Sequence, residues 1–580
     1  MKKTVLFFLL IMLIGLFQVI HAQNNDRKDY FRSPVNFPIT LAGSFGEIRR
    51  NHFHSGIDIR TGGAEGKPVY AIADGYVSRV NISGAGFGKA LYISHPNGYT
   101  SLYAHLQRYA GPIAAWVKSY QYSKESFTMD VEVQPGILKV KKGDLIAYSG
   151  NSGASGGPHV HFEIRDSKTQ EIVDPLDFGF VIPDNSKPGI TFLSIYPQDN
   201  NALINFSNHP VTLPVTGNAG FYSIKQHDTV KVTGNVIFGI ATSDVSEGGF
   251  KTGVNVIQLS VDGVTVFSQD INRFAFSETR YVNSIIDYPA FVQNNRKIQR
   301  SYIAPNNKLG VYNEVKNRGI VHFSDSKAHK IKYIVKDAFG HSSELVFWVK
   351  SHPPPNAGAR PGNVGDAGKG AGQNLFTYKN DNQFVRGNLK FEVPKEAVYE
   401  DYSFIYEESV SVRGSYSTVH HLHNKLTPLH TWCNLSIKSE NIPPKLTSKA
   451  LIVLVGAGDK FSATGGKWEN GWVTTRIREF GNYTITIDTE PPVIKPGNIF
   501  KNKNIRKQSS IRMIISDNLA GIDSYRGTLN GKWILMEYDA KSRSLVYAFD
   551  DHIKTGKNQF VLTVTDAVGN SSRYEATLIR

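Results

Sequence analysis

The sequence predicts an all-β protein, and three observations carry that expectation. The chain holds 52 Gly and 26 Pro, residues that punctuate short strands and turns more often than they interrupt long helices. Runs rich in Val, Ile, Thr and Tyr are broken by Asn, Asp and Gly, as in Pro68-Val-Tyr-Ala-Ile-Ala-Asp-Gly75 and Lys89-Ala-Leu-Tyr-Ile-Ser-His95, which read as strands joined by tight turns. Finally, 580 residues at roughly 150 per domain is about four units. A composition of 40% hydrophobic and 20% charged residues, with 33 Phe and 27 Tyr, is that of a folded chain, too apolar for a disordered one.

Taken in order, residues 1–22 read as a secretory signal peptide. Lys2 and Lys3 precede a 13-residue apolar stretch from Val5 to Phe17, and Ile20-His-Ala22 closes it before Gln23. Such a core fits the roughly 7–15 residues of a cleaved signal and falls short of the roughly 20 that span a membrane. No membrane span is expected once it is removed, and no Cys follows the apolar core for a lipid anchor. The first folded unit is expected over 26–185, dense in Gly turns and apolar alternation. A strand-rich unit follows over 186–350. Residues 351–374, with Pro353, Pro354 and Pro355 and a Gly/Ala/Asn mixture, bury too little apolar surface to fold and are expected to be a linker. A β-rich unit over 375–487 and a last one over 488–580 complete the chain.

An internal repeat supports these divisions. Asp337-Ala-Phe-Gly-His-Ser-Ser343 matches Asp566-Ala-Val-Gly-Asn-Ser-Ser572. Upstream, Ser243-Asp244 followed by Val261-Asp-Gly263 parallels Ser516-Asp517 followed by Leu529-Asn-Gly531. The same fold is expected twice, with an insertion near 275–322 in the first copy. Short strands with turns every 8–12 residues or so resemble immunoglobulin-like β-sandwiches.

Cys433 is the sole cysteine, so an exported chain here holds its units by packing and without an intramolecular disulfide. The formal net charge is +15, two of which (Lys2 and Lys3) leave with the signal. That balance suits an anionic envelope polymer or lipid surface. Export argues against nucleic acid as a partner, and the basic residues form no long block.

Chemistry concentrates in the first unit. His54-Ser-Gly-Ile-Asp58 and His159-Val-His161 stand at its two ends, with His105 between them in Tyr103-Ala-His-Leu106. Imidazoles and one carboxylate, without a thiolate, suit a divalent zinc site that leaves a position open for water. On a strand, residues i and i+2 share a face about 6.6–7 Å apart, so one of His159 and His161 is expected to bind the ion and the other to stand beside it. Spacing leaves open which. His54 and Asp58 would lie about 13 Å apart in an extended strand, so the chain has to turn between them, at Ser55-Gly56.

These residues, with Gly66-Lys-Pro-Val-Tyr-Ala71, Asp74-Gly-Tyr-Val77, His95-Pro-Asn-Gly-Tyr99, Ser149-Gly-Asn-Ser-Gly153 and Gly157-Pro-His-Val-His-Phe-Glu-Ile164, resemble the lysostaphin/LytM-type zinc endopeptidases of bacterial cell walls. The likeness covers about residues 35–180. It implies a compact, mostly antiparallel β domain with a narrow groove, a zinc ion held by His54, Asp58 and His161, and His105 and His159 flanking the attacking water. It further implies hydrolysis of peptide cross-links in peptidoglycan by a metal-activated water, in the periplasm, the cell envelope or outside the cell. Glu163 lies on the same strand face as His161 and is a candidate partner behind the metal. The Gly-rich Ser83-Gly-Ala-Gly-Phe-Gly88 suits a groove wall or an ordinary turn. One departure from the smallest members is a stretch from about Gly111 to Gly136, whose Trp116, Tyr120, Tyr122 and Phe127 are expected either to line or cap the groove or to pack as a helical insert. Two rival functions are a non-catalytic wall-binding regulator of other hydrolases and a secreted protease acting on proteins. The sequence leaves open the bond cleaved, the role of the β modules and the oligomeric state.

Overall fold

A computed structural model describes residues 29–225, 229–353 and 374–580. The expected signal peptide, 1–22, and nearly all of the expected linker, 351–374, lie outside the described residues. The molecule is built from β-sheets with a few short helices, as the sequence leads one to expect. Among the described residues, no helix is long and apolar enough to cross a membrane.

The first unit is centred on one antiparallel sheet. Its strands are β1 (Leu41–Gly43), β2 (Ile57–Arg60), β3 (Gly75–Ile82), β4 (Lys89–Ser94), β5 (Tyr99–Ala104), β6 (Met129–Glu132) and β7 (His159–Asp166). They lie in the order β1-β2-β7-β5-β4-β3-β6. β7, read from opposite ends of the unit, thus sits centrally between β2 and β5. Its alternate residues Val160, Phe162 and Ile164 are directed into the main core beside Ile57, Ile59, Leu91 and Tyr103. The intervening His159, His161, Glu163 and Arg165 therefore share the other face. Register sets the cross-strand partners: His161 lies opposite Asp58 on β2 and Ala104 on β5.

The stretch after β5 is helix α1 (Gly111–Lys124), with Pro112 in its first turn and Glu125 closing it in a left-handed conformation. Ile113, Val117 and Gln121 face the core, a spacing of four residues that repeats on one helical face. Phe127 joins that core, and Trp116 and Tyr120 stack on each other against it. Of the two expectations for this insert, packing is the one the structure has. Tyr122 turns outward to the last unit, stacking on His552 at 4.8 Å and packing on Trp533.

β8 (Glu171–Val173) extends the main sheet and accepts β9 (Arg273–Ala275) from the second unit. The segment around β9 forms its own core, where Phe274, Tyr281, Ile285 and Val311 pack on Phe45, Phe53 and Ile172 of the first unit. In the repeat, Val261-Asp-Gly263 and Leu529-Asn-Gly531 each turn a hairpin, joining Val256–Val261 to Val264–Asp270 and Ile522–Leu529 to Lys532–Trp533. In both copies the first strand of that hairpin pairs antiparallel with the strand that ends in the Asp-Ala-x-Gly turn. The last copy closes as two sheets, of four and five strands, around one core.

Candidate metal centre

Three of the five expected residues converge on one point. His54 Nε2, Asp58 Oδ1 and His161 Nδ1 form a triangle with edges of 3.0, 3.0 and 3.1 Å. Zinc held tetrahedrally at about 2.0–2.2 Å by nitrogen and oxygen requires ligand atoms roughly 3.3 Å apart, so the triangle fits such an ion with little movement. All three residues are buried.

The local chain explains the convergence. β2 begins only at Ile57, and the residues before it turn back so that His54 reaches Asp58. Gly56 makes that approach possible: a Cβ there would stand 2.3 Å from the carbonyl oxygen of Phe162. Here glycine is required by a neighbouring backbone, not by its own dihedral angles.

Each imidazole is oriented from behind. His54 Nδ1–H donates to the Ser44 carbonyl at 2.7 Å, which leaves Nε2 free for a cation. His161 Nε2–H donates to Glu163 Oε1 at 2.9 Å, freeing Nδ1. Glu163 is fully buried and also accepts from Ser55 Oγ at 2.6 Å and Arg165 Nε at 2.7 Å. Such partners fix the tautomer and raise ligand basicity. Burial alone would raise the pKa of Glu163, but Arg165, His161 and Ser55 outweigh it and lower it to about 2. Burial works against charge on His161, yet Asp58 and Glu163 prevail and raise its pKa to about 9. A site that favours positive charge at this point is one suited to receive a cation.

His159 and His105 stand beside the triangle. His159 Nδ1–H donates to the Gly157 carbonyl at 2.8 Å, and its Nε2 lies 3.3 Å from Asp58 Oδ1. His105 Nδ1–H donates to the Ser152 carbonyl at 2.8 Å, and its ring is 4.8 Å from that of His159 and 5.8 Å from that of His161. It follows directly on β5 with φ of 57°, a left-handed backbone that non-glycine residues adopt sparingly and often at functional sites. Burial, then His161 and His159, push its pKa down to about 3, so it is neutral at physiological pH.

The Gly-rich 83–88 segment forms one wall. Its Phe87 ring lies 5.4 Å from His161, and the Phe87 carbonyl accepts from the His105 amide at 2.9 Å. Gly153, with φ of 70°, rests against Gly88, where a Cβ would come within 2.3 Å of the Gly88 nitrogen.

Several contributors carry no mark in the sequence. Ser44, Ser152 and Gly157 act through carbonyls that every residue possesses. Arg165 was within reach of sequence reasoning, because it is the next residue after Glu163 on the same strand face.

Comparison with known proteins bears on this segment. Residues 52–125 and 122–175 match Peptidase family M23, and residues 373–488 match the Zu5-like domain. An uncharacterized metalloprotease of Haemophilus influenzae is 31% identical over 144 residues, covering 24% of this chain and 25% of that protein. The DD-carboxypeptidase/endopeptidase Mpg of Neisseria meningitidis is 29% identical over 151 residues, 26% of this chain and 28% of that one. The peptidoglycan DD-endopeptidase ShyC of Vibrio cholerae is 29% identical over 145 residues, 24% and 27% of the two chains. The chain thus spans about a quarter of the length of these curated relatives. Among solved structures, the catalytic domain of the prophage-encoded M23 protein EnpA from Enterococcus faecalis is 26% identical, covering 25% of this chain and 96% of that one with a TM-score of 0.19. The segment that holds the histidine cluster is thus the part of the chain that matches peptidase family M23 and these curated metalloprotease and endopeptidase relatives.

Proposed function

We propose that the chain is an exported, zinc-dependent endopeptidase that hydrolyses peptide cross-links of bacterial peptidoglycan, with His54, Asp58 and His161 as zinc ligands and His105 and His159 as catalytic residues. The observation that carries this reading is the completeness of the centre: three ligand atoms at mutual distances of 3.0–3.1 Å with two further imidazoles beside them. Peptidoglycan is named in the activity of one relative, and the names of two point to D,D-peptide bonds.

Zinc bound at the triangle would supply Lewis acidity, lowering the pKa of water and polarising the scissile carbonyl. The chain's own residues do the rest. His159, its Nδ1 proton engaged by Gly157, presents the lone pair of Nε2 toward the cluster and takes a proton from the attacking water. It then returns that proton to the leaving amine. His105, held neutral by burial, is a poor base and serves to orient the water through its remaining nitrogen. Glu163 and Ser44 hold His161 and His54 in place. The Phe87 wall limits solvent on one side, which strengthens each polar interaction within.

The full zinc-loaded chain incubated with purified sacculi is expected to release muropeptides that have lost a D,D cross-link, detected by mass spectrometry. Cleavage of casein with sacculi untouched would overturn the wall reading in favour of a protease. An intact zinc centre that releases nothing from either substrate would overturn the enzymatic reading in favour of a regulator.

A further inference from the structure

We propose that each copy of the repeated sandwich holds a calcium ion, bound by Asp184 and Asp337 beside His341 in the first copy and by Asp488, Asp517 and Asp566 in the second.

The residues occupy matching places. Asp184 and Asp488 lie in the segments leading into the first strand of each copy, Gly189–Pro197 and Val493–Pro496. Asp244 and Asp517 stand in the Ser-Asp pair at the end of the strand that pairs with that first strand, Val230–Val245 and Ser510–Ser516. Asp337 and Asp566 open the Asp-Ala-x-Gly turn. There the repeat is exact in its hydrogen bonds: Asp337 Oδ1 accepts from the amides of Phe339 and His341 at 2.8 and 2.9 Å, and Asp566 Oδ1 from those of Val568 and Asn570 at 3.0 and 2.8 Å. Ligand atoms of Asp184, Asp337 and His341 all lie within 4.8 Å of one another, as do those of Asp488, Asp517 and Asp566.

The second line of argument is what these carboxylates lack. The Asp184 side chain is only 2% exposed, and its Oδ2 has no hydrogen-bond partner; His341 Nδ1 is 3.6 Å away. Asp244 is 4% exposed and its Oδ1 is likewise without a partner. In the second copy the buried Oδ1 of Asp517 is without one too. Orphaned carboxylate oxygens in low dielectric are costly, and here they recur in both copies, turned to the same kind of cluster. A cation removes the cost. Burial, reinforced by Asp184 and Asp337, raises the pKa of Asp244 to about 6, as crowded carboxylates do. A cavity of about 30 Å³ lies against Asp184 and Asp244, bounded also by Leu41, Ser44, Thr252 and Phe339, enough for one ion or water.

Carboxylate oxygens, which are all three donors of the second cluster and two of the three in the first, are hard donors and select calcium over zinc. Asp184 and Asp488 belong to the segments that connect one unit to the next, so an ion at either cluster ties an incoming segment to the sandwich. Ser44, on the wall of the first cavity, is also the residue whose carbonyl orients His54.

The test is calorimetric titration of the zinc-loaded full chain with calcium chloride after removal of other divalent ions. Two calcium ions per chain are expected, falling to one in Asp184→Asn and one in Asp517→Asn, with near-UV circular dichroism showing each variant folded. The remaining site in each variant reports that the rest of the chain is intact. No uptake at about 10 mM calcium, tenfold above the weakest dissociation constants of extracellular calcium modules, would overturn the proposal. So would two ions in both folded variants.

Discussion

Asp58 in the peptidase segment and Asp244 in the first sandwich are both buried aspartates beside clusters of potential ligands, and their surroundings drive them in opposite directions. Burial alone would raise both. At Asp58 that effect is overcome by His54, His159 and His161, which hold its pKa well below the usual carboxylate value. At Asp244 the neighbours are Asp184 and Asp337, which add to burial and raise it. The same residue type therefore serves two chemistries. Among imidazoles a charged aspartate completes a mixed nitrogen and oxygen site suited to zinc, with neighbouring rings poised for proton transfer. Among carboxylates it adds to a crowd of oxygen donors, the surroundings that a hard ion prefers. Proximity of acids and histidines does not distinguish the two; the charge of the immediate neighbours does.

If that contrast is right, the largest effect of substitution on turnover is confined to the first cluster. His159→Ala is expected to lower kcat on sacculi by about 10²–10⁴-fold, the usual cost of losing a general base, while zinc content and calcium stoichiometry stay as in the wild type. Loss of zinc from this variant would place His159 among the ligands instead. A smaller effect is expected one step behind the metal. Glu163→Gln keeps the shape but removes the charge that supports His161, and zinc affinity measured by competition with a chromophoric chelator should fall about 10–100-fold. Unchanged affinity would show that Arg165 and Ser55, not His161, are the reason for the buried carboxylate.

The smallest effect sharpens the comparison with a third buried acid, Asp174, which faces neither imidazoles nor a carboxylate cluster. Burial, aided by Asp177 and Asp270 and opposed by the Leu176 amide and Asn255, raises its pKa to about 7. A carboxyl whose pKa is raised in the folded chain binds its proton more tightly there. The stabilisation is complete below the unfolded value of about 3.9 and is lost as pH climbs through about 7. Asp174→Asn, which cannot ionise, should flatten the decline of thermal stability between pH 4 and 7. A slope equal to that of the wild type would assign the decline to other groups.

Much of the candidate metal centre was legible in the sequence because its chemistry resides in side chains. His54, Asp58, His105, His159 and His161 each appear in a short motif, and β-strand periodicity placed Glu163 behind His161. The all-β class was legible from turn residues and alternation, and the repeat from Asp-Ala-x-Gly-x-Ser-Ser. What escaped is what depends on backbone atoms or on contacts between distant segments. The carbonyls of Ser44, Ser152 and Gly157 orient three imidazoles with no residue-specific mark. The pairing of Arg273–Ala275 with Glu171–Val173 joins an edge strand of the first unit to an insertion of the second, and the stacking of Tyr122 on His552 brings the helical insert against the last sandwich. The carboxylate clusters were half legible: the repeat marked the Ser-Asp and Asp-Ala-x-Gly positions, but their convergence with Asp184 and Asp488 depends on tertiary folding.

The central claim, that His54, Asp58 and His161 hold the hydrolytic ion, is tested most directly by the zinc content of the purified full chain and its variants. One zinc per chain is expected in the wild type and in His159→Ala, and none in Asp58→Ala or His161→Ala when both are folded by circular dichroism. Retention of a full equivalent of zinc by folded Asp58→Ala and His161→Ala, or its equal loss from all three variants, would contradict the account.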